Sequence, residues 1–125
     1  VLKKLALFVA IIYSAVLTYV SLIRLTNVPD IGVDFGDKIF HFLAYFVLTI
    51  FWFAAFLYNF NFKKIKAITY SSIVSVLFGI VIEVLQNTLT TYRALDIYDM
   101  VANTFGVLLA VVIIALKNNI GVKKK

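Results

Sequence analysis

Four apolar runs of near membrane length, Leu5 to Ile23, Ile39 to Tyr58, Ala67 to about Leu85 and Met100 to Leu116, take up most of the chain. A helix crossing the hydrocarbon of a bilayer needs about 20 mostly apolar residues, so these runs constrain the fold more than any other feature. Charged residues make up only 14% of the 125. That is too little polar surface to cover a soluble globule, whereas lipid accepts an apolar exterior. The expected fold is all-α, a single domain over residues 1–125 forming an integral membrane four-helix bundle. The first run follows Lys3 and Lys4 as a signal peptide would. It is long for such a core, however, and its Thr18 to Ile23 end has no small-x-small cleavage site, so it reads as a retained helix.

The lysines set the expected orientation. Lys63, Lys64 and Lys66 fill the second loop, and Lys117, Lys123, Lys124 and Lys125 fill the C-terminal tail, on the same side as Lys3 and Lys4. Nine of the 12 basic residues thus lie on one side, which the positive-inside rule makes cytoplasmic. The expected topology is N-in/C-in, with the Arg24 to Lys38 and Asn87 to Asp99 loops facing out. Asp30, Asp34, Asp37, Glu83, Asp96 and Asp99 all fall on or near that outer face. The net charge of +6 shows no basic stripe with interleaved aromatics, so nucleic acid is not an expected partner. The absence of cysteine excludes disulfides, thiolate metal sites and thiol nucleophiles.

Small residues recur every four positions in three of the runs: Ala6, Ala10, Ser14 and Thr18; Ser71, Ser75 and Gly79; Ala102, Gly106 and Ala110. Such stripes let helix backbones approach closely in lipid. The second stripe continues to Glu83, which then points into the bundle. Three polar sets sit near the outer boundary. Asp37, His41 and Tyr45 share one helix face, with Lys38 about 100° round. Glu83 and Gln86 share another, and Asp96, Asp99 and Asn103 a third, with Arg93 one turn earlier. Taken singly, Asp37, Asp96 and Asp99 also read as helix caps, and His41 and Tyr45 as ordinary interfacial residues. Glu83 differs, because a carboxylate within an apolar run costs about 3 kcal/mol at full membrane depth and normally faces a partner; Arg93 and Lys38 are the candidates.

Gathered together, Asp37, Glu83, Asp96 and Asp99 outnumber Lys38 and Arg93 by two charges. A shared proton, a protonated His41, a divalent cation, a cationic ligand group or outward solvation would each compensate. No strong metal spacing occurs, so no metal and no cofactor is expected.

The segments DKIFHFLAY, EVLQ and YRALDIYDMVANTFG resemble the VanZ-like membrane protein family. Its pattern is an Asp-Lys-x-x-His-Phe-x-x-Tyr opening, a Glu-x-x-Gln, an Arg, and an Asp-x-x-Asp-x-x-x-Asn-x-x-Gly. Asp37, Lys38, His41, Phe42, Tyr45, Glu83, Gln86, Arg93, Asp96, Asp99, Asn103 and Gly106 occupy the matching positions. The resemblance implies a multi-pass protein of the bacterial cytoplasmic membrane. The family's name-giving member is associated with resistance to teicoplanin, a lipid-bearing glycopeptide that acts outside that membrane.

Three functions follow as expectations. In the first, an outward-facing charged pocket binds a polar envelope ligand: a lipid headgroup, an envelope precursor or a glycopeptide. Lys38 and Arg93 would meet anionic groups, Asp37, Glu83, Asp96 and Asp99 would orient them or hold cations, and Tyr45, Gln86 and Asn103 would add neutral hydrogen bonds. In the second, His41 with Glu83 or Asp99 performs acid-base catalysis on a lipid-linked substrate. The third, an ion or proton pathway, is the weakest for a monomer, since helices two and four carry almost no polar residue in their inner halves beyond Thr49. The lipid bilayer is the expected partner, and homo-oligomers are left open.

Overall fold

A computed structural model of the chain describes residues 3–27, 34–89 and 97–117, with side chains described at 4–22, 39–85, 88, 98 and 100–117. The described residues contain four α-helices and no strand: α1 (Ala6–Asn27), α2 (Asp34–Ala54), α3 (Lys64–Leu89) and α4 (Ile97–Leu116). A short 3-10 turn, Lys3–Leu5, leads into α1, and α2 runs on into a π-helical segment, Ala55–Asn59. The runs at Ala67 to Leu85 and Met100 to Leu116 lie within α3 and α4, whereas Leu5 falls in the 3-10 turn before α1 and Ala55 to Tyr58 in the π-helical segment after α2; every helix also extends past its run at one end or both. Arg24 lies in α1, Asp34 to Lys38 in α2, Asn87 in α3 and Asp99 in α4, so the two polar loops are shorter than expected. Lys64 and Lys66 likewise stand in the first turn of α3, leaving only Lys63 in the connection before it. The physical reason is that main-chain hydrogen bonding continues where apolarity stops; only a change of backbone direction or a breaker ends a helix.

The helices alternate in direction, and contacts at the lysine-rich end show how. Asn59 bridges to the start of α1: its Oδ1 accepts from the Leu7 N–H at 2.9 Å and its Nδ2 donates to the Lys4 carbonyl at 3.0 Å. The first four N–H groups of a helix have no intrahelical acceptor, so Asn59 caps α1 from 52 residues away. The Lys64 ammonium donates to the Lys117 carbonyl at 2.7 Å and approaches that of Ala115 at 3.5 Å. It thereby closes the carbonyl end of α4, where a cation also complements the helix dipole. The reversal from α2 to α3 turns on Asn61, whose φ of 58° is left-handed, a conformation that Asn tolerates better than most residues. Phe62 N–H then bonds back to the Phe56 carbonyl at 3.0 Å.

Packing centres on α2, which lies most extensively against α4 and also against α3 and α1; α3 touches both α4 and α1. Small residues set these contacts. A Cβ built on Gly106 would stand 2.2 Å from the Phe42 carbonyl oxygen and 3.0 Å from the Phe46 nitrogen, so the α2 and α4 backbones meet there. Ala110 and Gly106 are buried as the expected stripe requires, and Ala102 is half-buried. On α3 the whole line Ala67, Ser71, Ser75, Gly79 and Glu83 is buried. On α1 the stripe departs from expectation: Ala10, Leu17 and Ser21 are buried, while Ala6, Ser14 and Thr18 are half-exposed. The buried positions of α1 are thus spaced by seven and four and include the large Leu17, so this helix does not dock through small residues alone.

Interhelical hydrogen bonds tie α1 to α2 among the described residues. Tyr13 Oη donates to the Ala44 carbonyl at 2.8 Å, and Trp52 Nε1 donates to Ser14 Oγ at 3.0 Å. The bundle buries polar groups and exposes apolar ones. His41, Thr49, Ser71, Ser75, Glu83 and Asn103 are inside, whereas Phe8, Leu77, Phe105 and Val112 lie on the surface of three different helices, each at least half exposed. Two stretches, Ile39–Asn59 and Lys64–Leu85, are long and apolar enough to cross a membrane; Ala6–Leu22 and Met100–Leu116 are shorter apolar helices.

Candidate functional site

The site is built where side chains of α2 and α4 meet Gly79 of α3. Gly79 of α3 lacks a side chain where Asn103 of α4 and Tyr45 of α2 need room: an added Cβ would lie 3.0 Å from Asn103 Nδ2 and 3.2 Å from Tyr45 Cε2. Asn103 fills this space and turns its Oδ1 to His41, with His41 Nδ1 at 3.0 Å. An amide oxygen only accepts, so His41 Nδ1 carries the proton in this bond, and in the neutral ring the lone pair is then at Nε2. The imidazole is held on two further sides. It stacks near the Tyr45 ring, with centroids 6.4 Å apart and planes 20° from parallel, and Phe40 meets it edge-on at 5.7 Å. Tyr45 in turn rests against Phe78 at 6.1 Å.

Helix direction sets the rest of the register. Because α2 and α4 run antiparallel to α3, one turn beyond the Gly79, Tyr45 and Asn103 level come Glu83, His41 and Asp99, about 5.4 Å further along. Glu83 is 2% exposed and His41 equally enclosed. A carboxyl group so deep in a protein must be partnered, and the helix ends around it are where polar residues concentrate. The backbone of α2 carries Asp37 and Lys38 on the turn beyond His41, α3 carries Gln86 in its last turns, and α4 carries Asp99 in its first. The side chains of these four lie outside the described residues, as do Arg93 and Asp96 altogether. Among the described residues no group of three or more His, Cys, Asp or Glu side chains could hold a metal ion.

Of the sequence-derived candidates, the structure brings His41, Tyr45 and Asn103 into one buried contact set and places Glu83 one turn away along α3. Helix boundaries also narrow the capping alternative. α2 starts at Asp34, so Asp37 stands inside the first turn and not at the cap, and Asp99 is likewise inside α4. Two further residues support the site. Phe78, which backs Tyr45, carries no signal of its own in the sequence; Gly79, the seat for Asn103, stands in the small-residue stripe that runs on to Glu83.

What the arrangement can do chemically follows from its geometry. An oriented imidazole with a fixed donor nitrogen, an amide and a phenol from two helices, and a carboxyl one turn away together provide donors and acceptors for a polar group entering from that end of the bundle.

Comparison with known proteins places this chain. The family model described as VanZ/LLP1 matches residues 2–118. Uncharacterized protein C11E3.10 of Schizosaccharomyces pombe (strain 972 / ATCC 24843) is 30% identical over 112 residues, covering 89% of this chain and 62% of that protein. The chain therefore spans somewhat less than two thirds of that curated relative. No solved structure matches it significantly. A match over nearly the whole length, on a four-helix chain whose His41 and Asn103 meet inside the bundle, leads to one conclusion: the chain belongs to the VanZ/LLP1 family.

Proposed function

We propose that this protein is a multi-pass membrane bundle that binds a polar ligand of the cell envelope at the end where α2 and α4 begin and α3 finishes. The observation that carries this reading is the enclosure of His41, Asn103 and Glu83 at one end of helices whose outer surfaces are apolar. Buried ionisable residues in membrane helices are costly and mark functional sites. The apolar exterior supports insertion, and the lysines at the opposite end support a cytoplasmic-membrane orientation with that end inside. The polar end then faces out, where Lys38 and Arg93 meet anionic groups and Asp37, Asp96 and Asp99 orient them. Candidate ligands are a lipid headgroup, an envelope precursor or the glycopeptide of the family's label.

Glu83→Gln and Asn103→Ala are the test, each scored for membrane insertion and for the growth phenotype of a deletion strain under envelope stress or teicoplanin. Loss of complementation with insertion intact is expected; full complementation by both variants refutes the reading. The His41–Asn103 bond favours a second reading, acid-base catalysis, because a catalytic imidazole needs a fixed tautomer. Turnover of a lipid-linked substrate by purified protein, lost in His41→Ala, would establish it.

A further inference from the structure

The lysine-rich end of the bundle has no acid of its own. No Asp or Glu occurs in residues 1–29, 38–82 or 100–125, yet tertiary contacts bring Lys4, Lys63, Lys64, Lys66 and Lys117 to this end. Asn59 draws the Lys4 main chain to the end of α2, and Lys64 reaches the Lys117 carbonyl. The described helices thus gather these lysines with no side-chain carboxylate of residues 1–29, 38–82 or 100–125 among them. The lysines are not equivalent. The Lys64 ammonium is committed to the end of α4, whereas Lys66, about 200° round α3, faces away from it. Lys66 is held in place by aromatic rings: its Nζ lies 4.3 Å from the Phe62 ring centroid and 5.7 Å from that of Tyr70. Tyr70 itself packs edge-on to Phe62 at 5.2 Å. A cation poised over rings, with its other side open, is ordered before any anion arrives.

What lies beyond Lys66 on the same face is equally specific. Positions 66, 70, 73 and 77 follow spacings of four, three and four, a single helix face, and Tyr70, Ile73 and Leu77 on it are 45%, 52% and 55% exposed. The face thus reads cation, phenol, then branched aliphatic side chains. From Lys66 to Leu77 the helix rises about 16 Å, close to the roughly 15 Å of one leaflet's hydrocarbon. We infer that an anionic phospholipid lies along this face of α3, with its phosphate between Lys66 and Tyr70 and an acyl chain over Ile73 and Leu77. Lys66 supplies the charge, the Tyr70 hydroxyl donates to a phosphate oxygen, and the aliphatic side chains replace lipid neighbours at no cost. This inference rests on the membrane reading above and concerns the opposite end of the bundle.

The test uses the full chain in nanodiscs of phosphatidylcholine containing a minor fraction of phosphatidylglycerol, with retained lipids counted by native mass spectrometry. Preferential retention of phosphatidylglycerol is expected, reduced about fivefold in Lys66→Gln, as one lysine's attraction to an anionic surface implies. A smaller loss is expected in Tyr70→Phe and less than twofold in Lys117→Gln, on the far side of α3. Both lysines are exposed, and circular dichroism confirms that their variants fold. Equal retention of the two lipids overturns the inference, and so does an equal loss in Lys66→Gln and Lys117→Gln, which would mean diffuse attraction only. Displacement of the bound lipid by millimolar inorganic phosphate would assign the site to the free anion and overturn it as well. Protein that fails to enter nanodiscs refutes the membrane reading itself, and this inference with it.

Discussion

Gly106→Ala is the most demanding test of the fold, because the obstacle it meets is main chain. The new methyl group would be built 2.2 Å from the Phe42 carbonyl oxygen, with the Phe46 nitrogen at 3.0 Å and the Phe42 carbonyl carbon at 3.1 Å. Ordinary contact requires α2 and α4 to separate by about 1 Å, and no side chain can turn aside to spare them. Overpacking of this kind costs about 1–3 kcal/mol where side chains can adjust. With two rigid helices as the partners, about 3 kcal/mol is expected. Asn103 lies three residues before Gly106, so the same separation stretches the 3.0 Å contact to His41. Gly79→Ala is the matched control. Its nearest neighbours are side-chain atoms, Asn103 Nδ2 at 3.0 Å and Tyr45 Cε2 at 3.2 Å, which can give way, so about 1 kcal/mol is expected together with a displaced Asn103. Equilibrium unfolding of detergent-solubilised protein, followed by helical circular dichroism, reads both. A Gly106→Ala protein as stable as the wild type, or one less affected than Gly79→Ala, would refute the claim that α2 and α4 meet backbone to backbone at this point.

Three further outcomes follow from named contacts. Nitrogen-15 NMR of the histidine side chain should show the proton on Nδ1 in neutral wild-type protein and a mixed or Nε2-protonated ring in Asn103→Leu, since the Asn103 oxygen accepts at Nδ1 and favours that tautomer; an unchanged spectrum refutes that assignment. Asn59→Ala removes both bridges to the start of α1 and should cost about 1–2 kcal/mol, with amide exchange at Leu7 accelerated about tenfold or more while α3 amides are unaffected. Trp52→Phe deletes one interhelical bond to Ser14 and should cost about 0.6–1 kcal/mol, near the average for such bonds in membrane helices; a cost above about 3 kcal/mol would mean that Trp52 packing, not its N–H, holds α1.

The period of small residues made the α3 and α4 contact lines legible, because close backbone approach demands a missing or minimal side chain at every turn it involves. Gly106 and Ala110, and the run from Ser71 to Glu83, stand where that demand puts them. The same reasoning slipped on α1, where Leu17 and Ser21 replace Thr18 on the buried line. Tyr13 and Ser14 of that helix bond to Ala44 and Trp52 of α2, and a large aromatic side chain can set a contact that no small-residue pattern announces. The boundaries slipped for a different reason. Charged residues such as Arg24, Lys64 and Lys66 end an apolar run without ending a helix.

The apolar runs, the gathering of acids away from lysines and the spacing of His41, Tyr45, Glu83 and Asn103 are properties of the chain itself, since periodicity and charge order survive without coordinates. Which of these residues touch was decided only by three dimensions. The His41 bond to Asn103 spans 62 positions, the cap that Asn59 places on α1 spans 52, and the closure of α4 by Lys64 spans 53. Each depends on the relative rotation and height of two helices. Those are set by where their glycines and aromatics let the backbones settle, and no single helix's sequence encodes them.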